Sequence, residues 1–165
     1  MGRIVKDFSI ETGGGSGSDR GLVDSGASCT TLKSSLARSL GFDPKSAGKT
    51  AAAESASDDT LVGYWLPVCL KVDKREACVK AFVPIGKMKG DGSEEPFEID
   101  ENLIGADFLQ ASRAMLDYSK PDDRAFSGLS KRLPKLGGGL LRFRDATAAE
   151  KRALSRLGRR KMRGR

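Results

Sequence analysis

The residues best placed to do chemistry lie in Leu22-Val23-Asp24-Ser25-Gly26-Ala27-Ser28. An ionisable Asp directly after two apolar strand residues is an odd way to end a core strand. Gly26 permits a turn or a close approach that a Cβ would block, and Ala27 is small for the same crowded reason. The Ser25 hydroxyl can bond a neighbouring backbone amide and fix the loop. The product is a carboxyl group held at the end of a strand. Taken alone, the segment reads equally as an ordinary Asp-Ser-Gly turn. Histidine is absent from the 165 residues, which excludes Ser-His-Asp and Cys-His machinery within the chain and every His-containing zinc site. Acid–base work near neutral pH therefore falls to carboxyls, lysines or thiols with shifted pKa values.

The elements that must position Asp24 are short strands. Residues 3–10 largely alternate apolar and polar side chains before the Gly/Ser-rich stretch 12–18, which reads as a flexible hairpin-like connection. Gly21-Leu22-Val23 is a second apolar run. Residues 61–72 form the longest strand-like stretch, with Val62, Tyr64, Leu66, Val68, Leu70 and Val72 on one face. Pro67 within it predicts an edge strand or a bulge. A strand at 77–85, a charged loop at 87–98, a helix-compatible stretch at 107–111 and a last strand at 114–118 follow. Leu32, Leu36 and Leu40 recur at helical spacing before Gly41, predicting a helix over 31–40. Many short strands with scant helix indicate an all-β body.

A second segment, Leu103-Ile104-Gly105-Ala106-Asp107-Phe108-Leu109, follows about eighty residues after the first and precedes Ala114-Met115-Leu116-Asp117-Tyr118. Together the segments resemble the retropepsin-like aspartic proteases, the single-domain family of retroviral and retrotransposon type. The shared pattern is an apolar pair, Asp-Ser-Gly-Ala, a flap hairpin, then an apolar-apolar-Gly element and a short helix. The resemblance spans about Ile4 to Tyr118.

It implies a closed β fold with one short helix after Leu103-Ile104-Gly105, working as a homodimer. Each copy would supply one Asp24 as the catalytic residue. The two carboxyls would share a proton, one activating water against a peptide bond and the other protonating the oxyanion. Such an aspartic endopeptidase, of the kind that processes polyproteins, needs no metal or other cofactor. Ser25, Gly26 and Ala27 would support the active-site loop, with Ser25 bonding across the dimer and Gly26 offering backbone to the substrate. Leu103, Ile104 and Gly105 would pack beneath it. The flap falls near 51–60, which has no glycine between Gly48 and Gly63, unlike the usual glycine-tipped flap. Tyr64 and Trp65 read as core packing rather than pocket lining. Counting points to the dimer independently, since one carboxyl cannot be acid and base at once. The alternative is a catalytically weak dimerisation or peptide-binding module of the same fold.

Charge divides the chain. Residues 129–165 hold 13 Lys or Arg against Asp145 and Glu150, whereas residues 1–128 hold 16 basic and 20 acidic residues. A mildly acidic body, 1–120, is thus expected to precede a basic linker and partly helical or disordered tail, 121–165, with the boundary near Pro121. Thr147-Ala148-Ala149-Glu150 has the form of a capping box, with Ala149, Ala153 and Leu157 at helical spacing behind it. The tail reads as a solvated extension, as a non-specific contact for nucleic acid or an acidic membrane surface, or, by the retroelement resemblance, as a stub leading into a downstream polyprotein domain. Cys29, Cys69 and Cys78 form no recognised spacing and read as reduced thiols packed as small hydrophobes. No apolar run approaches the roughly 18 residues of a membrane span, and the expectation is a soluble, cytoplasmic protein.

Overall fold

The computed structural model describes residues 4–43, 50–54, 59–116, 126–128, 142–145 and 147–163. Strand dominates, as expected. β1 (Val5–Thr12) and β2 (Gly15–Val23) form an antiparallel hairpin. β3 (Thr50–Glu54), β4 (Thr60–Val72) and β5 (Arg75–Met88) follow, each antiparallel to the next. β6 (Glu94–Pro96) pairs with the end of β5, and β7 (Asn102–Ile104) runs parallel to β2. β8 (Ala114–Leu116) and β9 (Phe126–Gly128) make a separate two-stranded sheet, while β10 (Arg142–Asp145) adds to the outer edge of β3. Helices are α1 (Ser34–Ser39), α2 (Ala106–Ala111) and α3 (Ala148–Arg163).

The hairpin between β1 and β2 is tighter than the Gly/Ser composition suggests. Only Gly13 and Gly14 turn, and the Thr12 hydroxyl accepts from the Gly14 and Gly15 amides at 3.1 Å each. A Cβ on Gly14 would lie 2.9 Å from the Leu40 carbonyl oxygen, so the glycine serves close packing of the α1 end. The helix expected over 31–40 begins only at Ser34, because Thr30 to Leu32 are used as sheet. The charged loop expected at 87–98 is partly a hairpin, β5 with β6.

The alternating face of β4 forms as read. Val62, Val68, Leu70 and Val72 are buried in the main core, with Tyr64 and Leu66 packed against it. Pro67 sits where β4 faces β5 alone, between its pairing with β3 at 60–64 and with β1 at 69–72. A residue without an N–H is tolerated there because no second ladder runs past it. β4 is thus no edge strand and carries no bulge at Pro67, which pairs in register with Lys80; its one register shift falls at Val62/Gly63.

The mostly β architecture and the short helix expected after Leu103-Ile104-Gly105, α2, are present, but the sheet is open rather than closed. Among the described residues the strands form an open mixed sheet of eight, and α1, α2 and α3 pack on it. β7 and β5 are joined by Thr30 to Leu32 rather than by a named strand. Thr31 and Leu103 exchange backbone hydrogen bonds at 2.9 and 2.8 Å, and Thr30 and Leu32 bond Phe82 at 2.9 Å each.

The expected boundary near Pro121 lies outside the described residues. Beyond it, α3 is no free tail: Ala153, Leu154 and Leu157 are 0–2% exposed, and Leu154 and Leu157 belong to the main core. The helix packs on β5 with β4 and β6 beside it. Its capping box closes on both sides, the Thr147 amide donating to Glu150 Oε2 (2.7 Å) and the Glu150 amide to Thr147 Oγ1 (3.3 Å). Ala149, the first position of the expected stripe, is exposed.

The cysteine expectation is also corrected. Cys69 and Cys78 stand opposite one another on β4 and β5, 3.9 Å apart at Cα, and form a disulfide. Spacing along the chain did not reveal this pairing, because strand register creates it. Only Cys29 is free, so cysteine usage no longer argues for a reducing compartment.

Candidate active site

Asp24 leaves the end of β2 where β7 runs alongside. Parallel pairing of Leu22 with Leu103 and Val23 with Ile104 brings the two sequence segments together. The Asp24 amide donates to the Ile104 carbonyl at 3.0 Å, so the last bond of the ladder fixes the aspartate backbone. The loop then folds onto the side chain it carries. The Gly26 amide donates to Asp24 Oδ1 at 2.8 Å, and the Ala27 amide donates to the Asp24 carbonyl at 3.2 Å. A Cβ on Gly26 would lie 3.1 Å from Asp24 Oδ1, so glycine leaves the carboxylate room. Asp24 and Ser25 are half-buried, Gly26 is exposed and Ala27 is buried. The carboxyl is therefore held by backbone and reachable from outside the chain.

Gly105 explains why the second segment contains a glycine. A Cβ there would collide with the Cys29 carbonyl group and stand 2.6 Å from the Thr30 amide nitrogen. Backbone cannot yield as a side chain can. Ala106 then starts α2 by donating its amide to the Ala27 carbonyl at 2.8 Å, tying the helix to the aspartate loop. Ile104 is 1% exposed and packs in the main core, while Leu103 is half-buried. All three residues of Leu103-Ile104-Gly105 lie beside the loop expected to rest on them.

Three further residues complete this arrangement and are not evident from motif spacing. Asp107 Oδ1 accepts from the Thr30 amide (2.8 Å), the Thr30 hydroxyl (2.8 Å) and the Phe108 amide (2.7 Å). The Thr30 hydroxyl in turn accepts from the Gly105 amide at 3.2 Å. Burial pushes the Asp107 carboxyl above its ordinary range, and those hydrogen bonds oppose the shift. Asn102, 1% exposed, donates to Asp19 Oδ2 and the Arg20 carbonyl and accepts from the Lys33 amide. It thus holds β7, β2 and the start of α1 together. The sequence signals available were an Asp in the first turn of a helix and a polar residue opening an apolar strand. Both are common enough to pass unnoticed.

Cys29 lies between the aspartate loop and the flap hairpin. Burial, reinforced by the Asp107 charge, pushes its thiol up to about 12, so it stays protonated and unreactive. It belongs to a second apolar cluster with Ala51, Ala53, Leu61 and Phe82, against which Trp65 packs. Trp65 and Phe82 are tilted rings 5.8 Å apart, whereas Tyr64 turns the other way and meets Phe42 at 6.0 Å. Both aromatics therefore pack internally, as read.

β3 and the start of β4 are the arms of the hairpin expected to be the flap; residues 55–58 of that hairpin lie outside the described residues. Leu61 joins the Cys29 cluster and Val62 the cluster that includes Leu154 and Leu157. The hairpin is thus packed on both faces close to its turn end. Among the described residues no group of three or more His, Cys, Asp or Glu could hold a metal, and no helix is long and apolar enough to cross a membrane.

No protein-family model, curated protein or solved structure matches the chain.

Proposed function

We propose that the protein is an aspartic endopeptidase of retropepsin-like type, acting as a homodimer in which two Asp24 carboxyls face one another across a two-fold axis. The observation that carries this reading is the Asp24 carboxyl at the end of β2, oriented by the Gly26 amide and braced through Ile104 and Ala106 by β7 and α2. Two carboxyls in contact cannot both ionise, so one holds a proton. The ionised member takes a proton from water, which attacks the peptide carbonyl, and the protonated member donates to the developing oxyanion. Collapse of the tetrahedral intermediate, with a proton passed to the departing amine, breaks the C–N bond. Only the chain's own residues and water are needed.

The test is cleavage of a peptide library by the full chain at acidic to mildly acidic pH. Expected results are inhibition by a pepstatin-type transition-state analogue, loss of cleavage in Asp24→Asn, and specific activity that falls on dilution as the dimer dissociates. Equal cleavage by wild type and Asp24→Asn would remove Asp24 from the reaction.

One feature favours a second reading, a peptide-binding module of the same fold. β10 occupies the outer edge of β3, and Ala51, Ala52 and Ala53 are all 0% exposed. A hairpin so enclosed opens less readily. In that case the Asp24→Asn variant binds peptides as tightly as wild type, and neither cleaves them.

A further inference from the structure

The basic C-terminal segment begins on α3. From Lys151 to Arg165 the chain holds Lys151, Arg152, Arg156, Arg159, Arg160, Lys161, Arg163 and Arg165, with no acidic residue among them. Glu150, immediately before them, is 5% exposed and bound into the capping box. Arg156 is neutralised by a two-pronged pair with Glu94 of β6 at 2.8 and 3.2 Å. Lys151 and Arg152 are exposed. Both lie close to the N-terminal end of α3, where the helix dipole disfavours cations. Dipole complementarity therefore accounts for basic residues in the last turn but not for these two.

We infer that the solvent face of α3 is a docking surface for the phosphate backbone of a nucleic acid, bound without sequence preference. The inference does not depend on the peptidase reading. Three observations select this partner. First, the apolar stripe Ala153, Leu154 and Leu157 is consumed by the protein core. A helix that lies in a lipid interface inserts its apolar face, and α3 has already committed that face to β4, β5 and β6. Second, α3 contains no aromatic residue, so bases have nothing to stack on and contact is left to phosphates. Third, the charge is dense and of one sign: seven Lys or Arg fall within the 16 residues of α3, which is about 24 Å long, and even with Arg156 held by Glu94 six remain to meet phosphates. The acidic balance of residues 1–128 repels the same polyanion, which directs binding to the basic C-terminal segment that includes α3.

Fluorescence anisotropy of a labelled 20-nucleotide oligo(dT), titrated with the full chain between 50 and 200 mM NaCl, tests the inference. Engagement of about four phosphates gives a slope of log K against log salt near −3. Replacing Arg159, Arg160 and Lys161 together by Gln lowers affinity at 50 mM salt at least tenfold and makes the slope shallower by about 2. The double variant Lys151→Gln/Arg152→Gln alters two exposed side chains, keeps the helical circular dichroism of wild type, and weakens binding in the same direction. Absence of binding at 50 mM salt, a salt-independent affinity, or variants that bind like wild type would each overturn the inference. So would capture by phosphatidylserine vesicles without capture of the oligonucleotide, which would assign the surface to lipid.

Discussion

Asp107 reaches back 77 positions along the chain to Thr30, and its Oδ1 takes both the amide and the hydroxyl of that threonine at 2.8 Å. Because the same hydroxyl accepts the Gly105 amide, one pair of side chains joins the start of α2, the end of β7 and the segment that links the two ends of the sheet. Asp24 sits on the other side of this joint.

Thr30→Val keeps the shape and removes the hydroxyl, leaving the buried Gly105 amide without its partner. The expected loss is about 1–3 kcal/mol in urea unfolding. A change below about 0.5 kcal/mol would mean the network does not bear on the fold.

The Asp107 carboxyl has a raised pKa in the folded chain, through burial. A group raised above its unfolded value gives its full contribution to stability below the unfolded pKa and loses it as pH rises through the folded one. Asp107→Asn cannot ionise, so thermal unfolding should show wild type losing ground to this variant as pH climbs from below 3.8, the ordinary value, toward 7. A constant difference in Tm across that range would contradict the shift.

Two glycines make a matched pair. Gly105→Ala drives a methyl into the Cys29 backbone, whereas Gly86→Ala meets the Leu157 Cδ1 methyl, the movable end of a side chain. Gly105→Ala is expected to cost about 3 kcal/mol or to prevent folding, and Gly86→Ala about 1 kcal/mol, as Leu157 changes rotamer. Chemical denaturation of both variants reads the order, and reversal of that order would refute the packing described for Gly105.

Thiol counting tests the cysteine assignment. With the disulfide formed and the free Cys29 buried, a thiol reagent at pH 8 should label no cysteine in the native protein. It should label one after denaturation and all three after denaturation with a reductant. Replacing Cys69 and Cys78 by Ser should lower stability by about 2 kcal/mol. Rapid native labelling would place Cys29 at the surface.

Release of α3 tests its place in the core. Leu157→Ala removes a side chain 2% exposed and is expected to cost about 2–5 kcal/mol, while Thr147→Ala opens the capping box for about 1 kcal/mol. Hydrogen exchange should then quicken in β5 and β6 as well as in α3. Unchanged protection of those strands would make α3 an independent appendage.

The elements legible in the sequence were those whose signal is local. Alternation along β4 put Val62 to Val72 on one face because side chains of a strand alternate whatever the strand's neighbours are. Thr147 and Glu150 declared a helix start because a capping box closes within four residues. The pairing of Leu22-Val23-Asp24 with Leu103-Ile104-Gly105 was suggested by motif order and is realised as β2 beside β7. What tertiary structure alone decided depends on register and distance. Cys69 meets Cys78 only because β4 and β5 pair in one register. Thr31 and Leu32, placed in a helix by leucine spacing, are drawn with Thr30 between Phe82 and Leu103, since backbone groups buried between two strands must find partners there. The tail joins the core because the apolar stripe of α3 packs into the cluster formed by β4 and β5, a contact between segments too distant in sequence for any local pattern to encode.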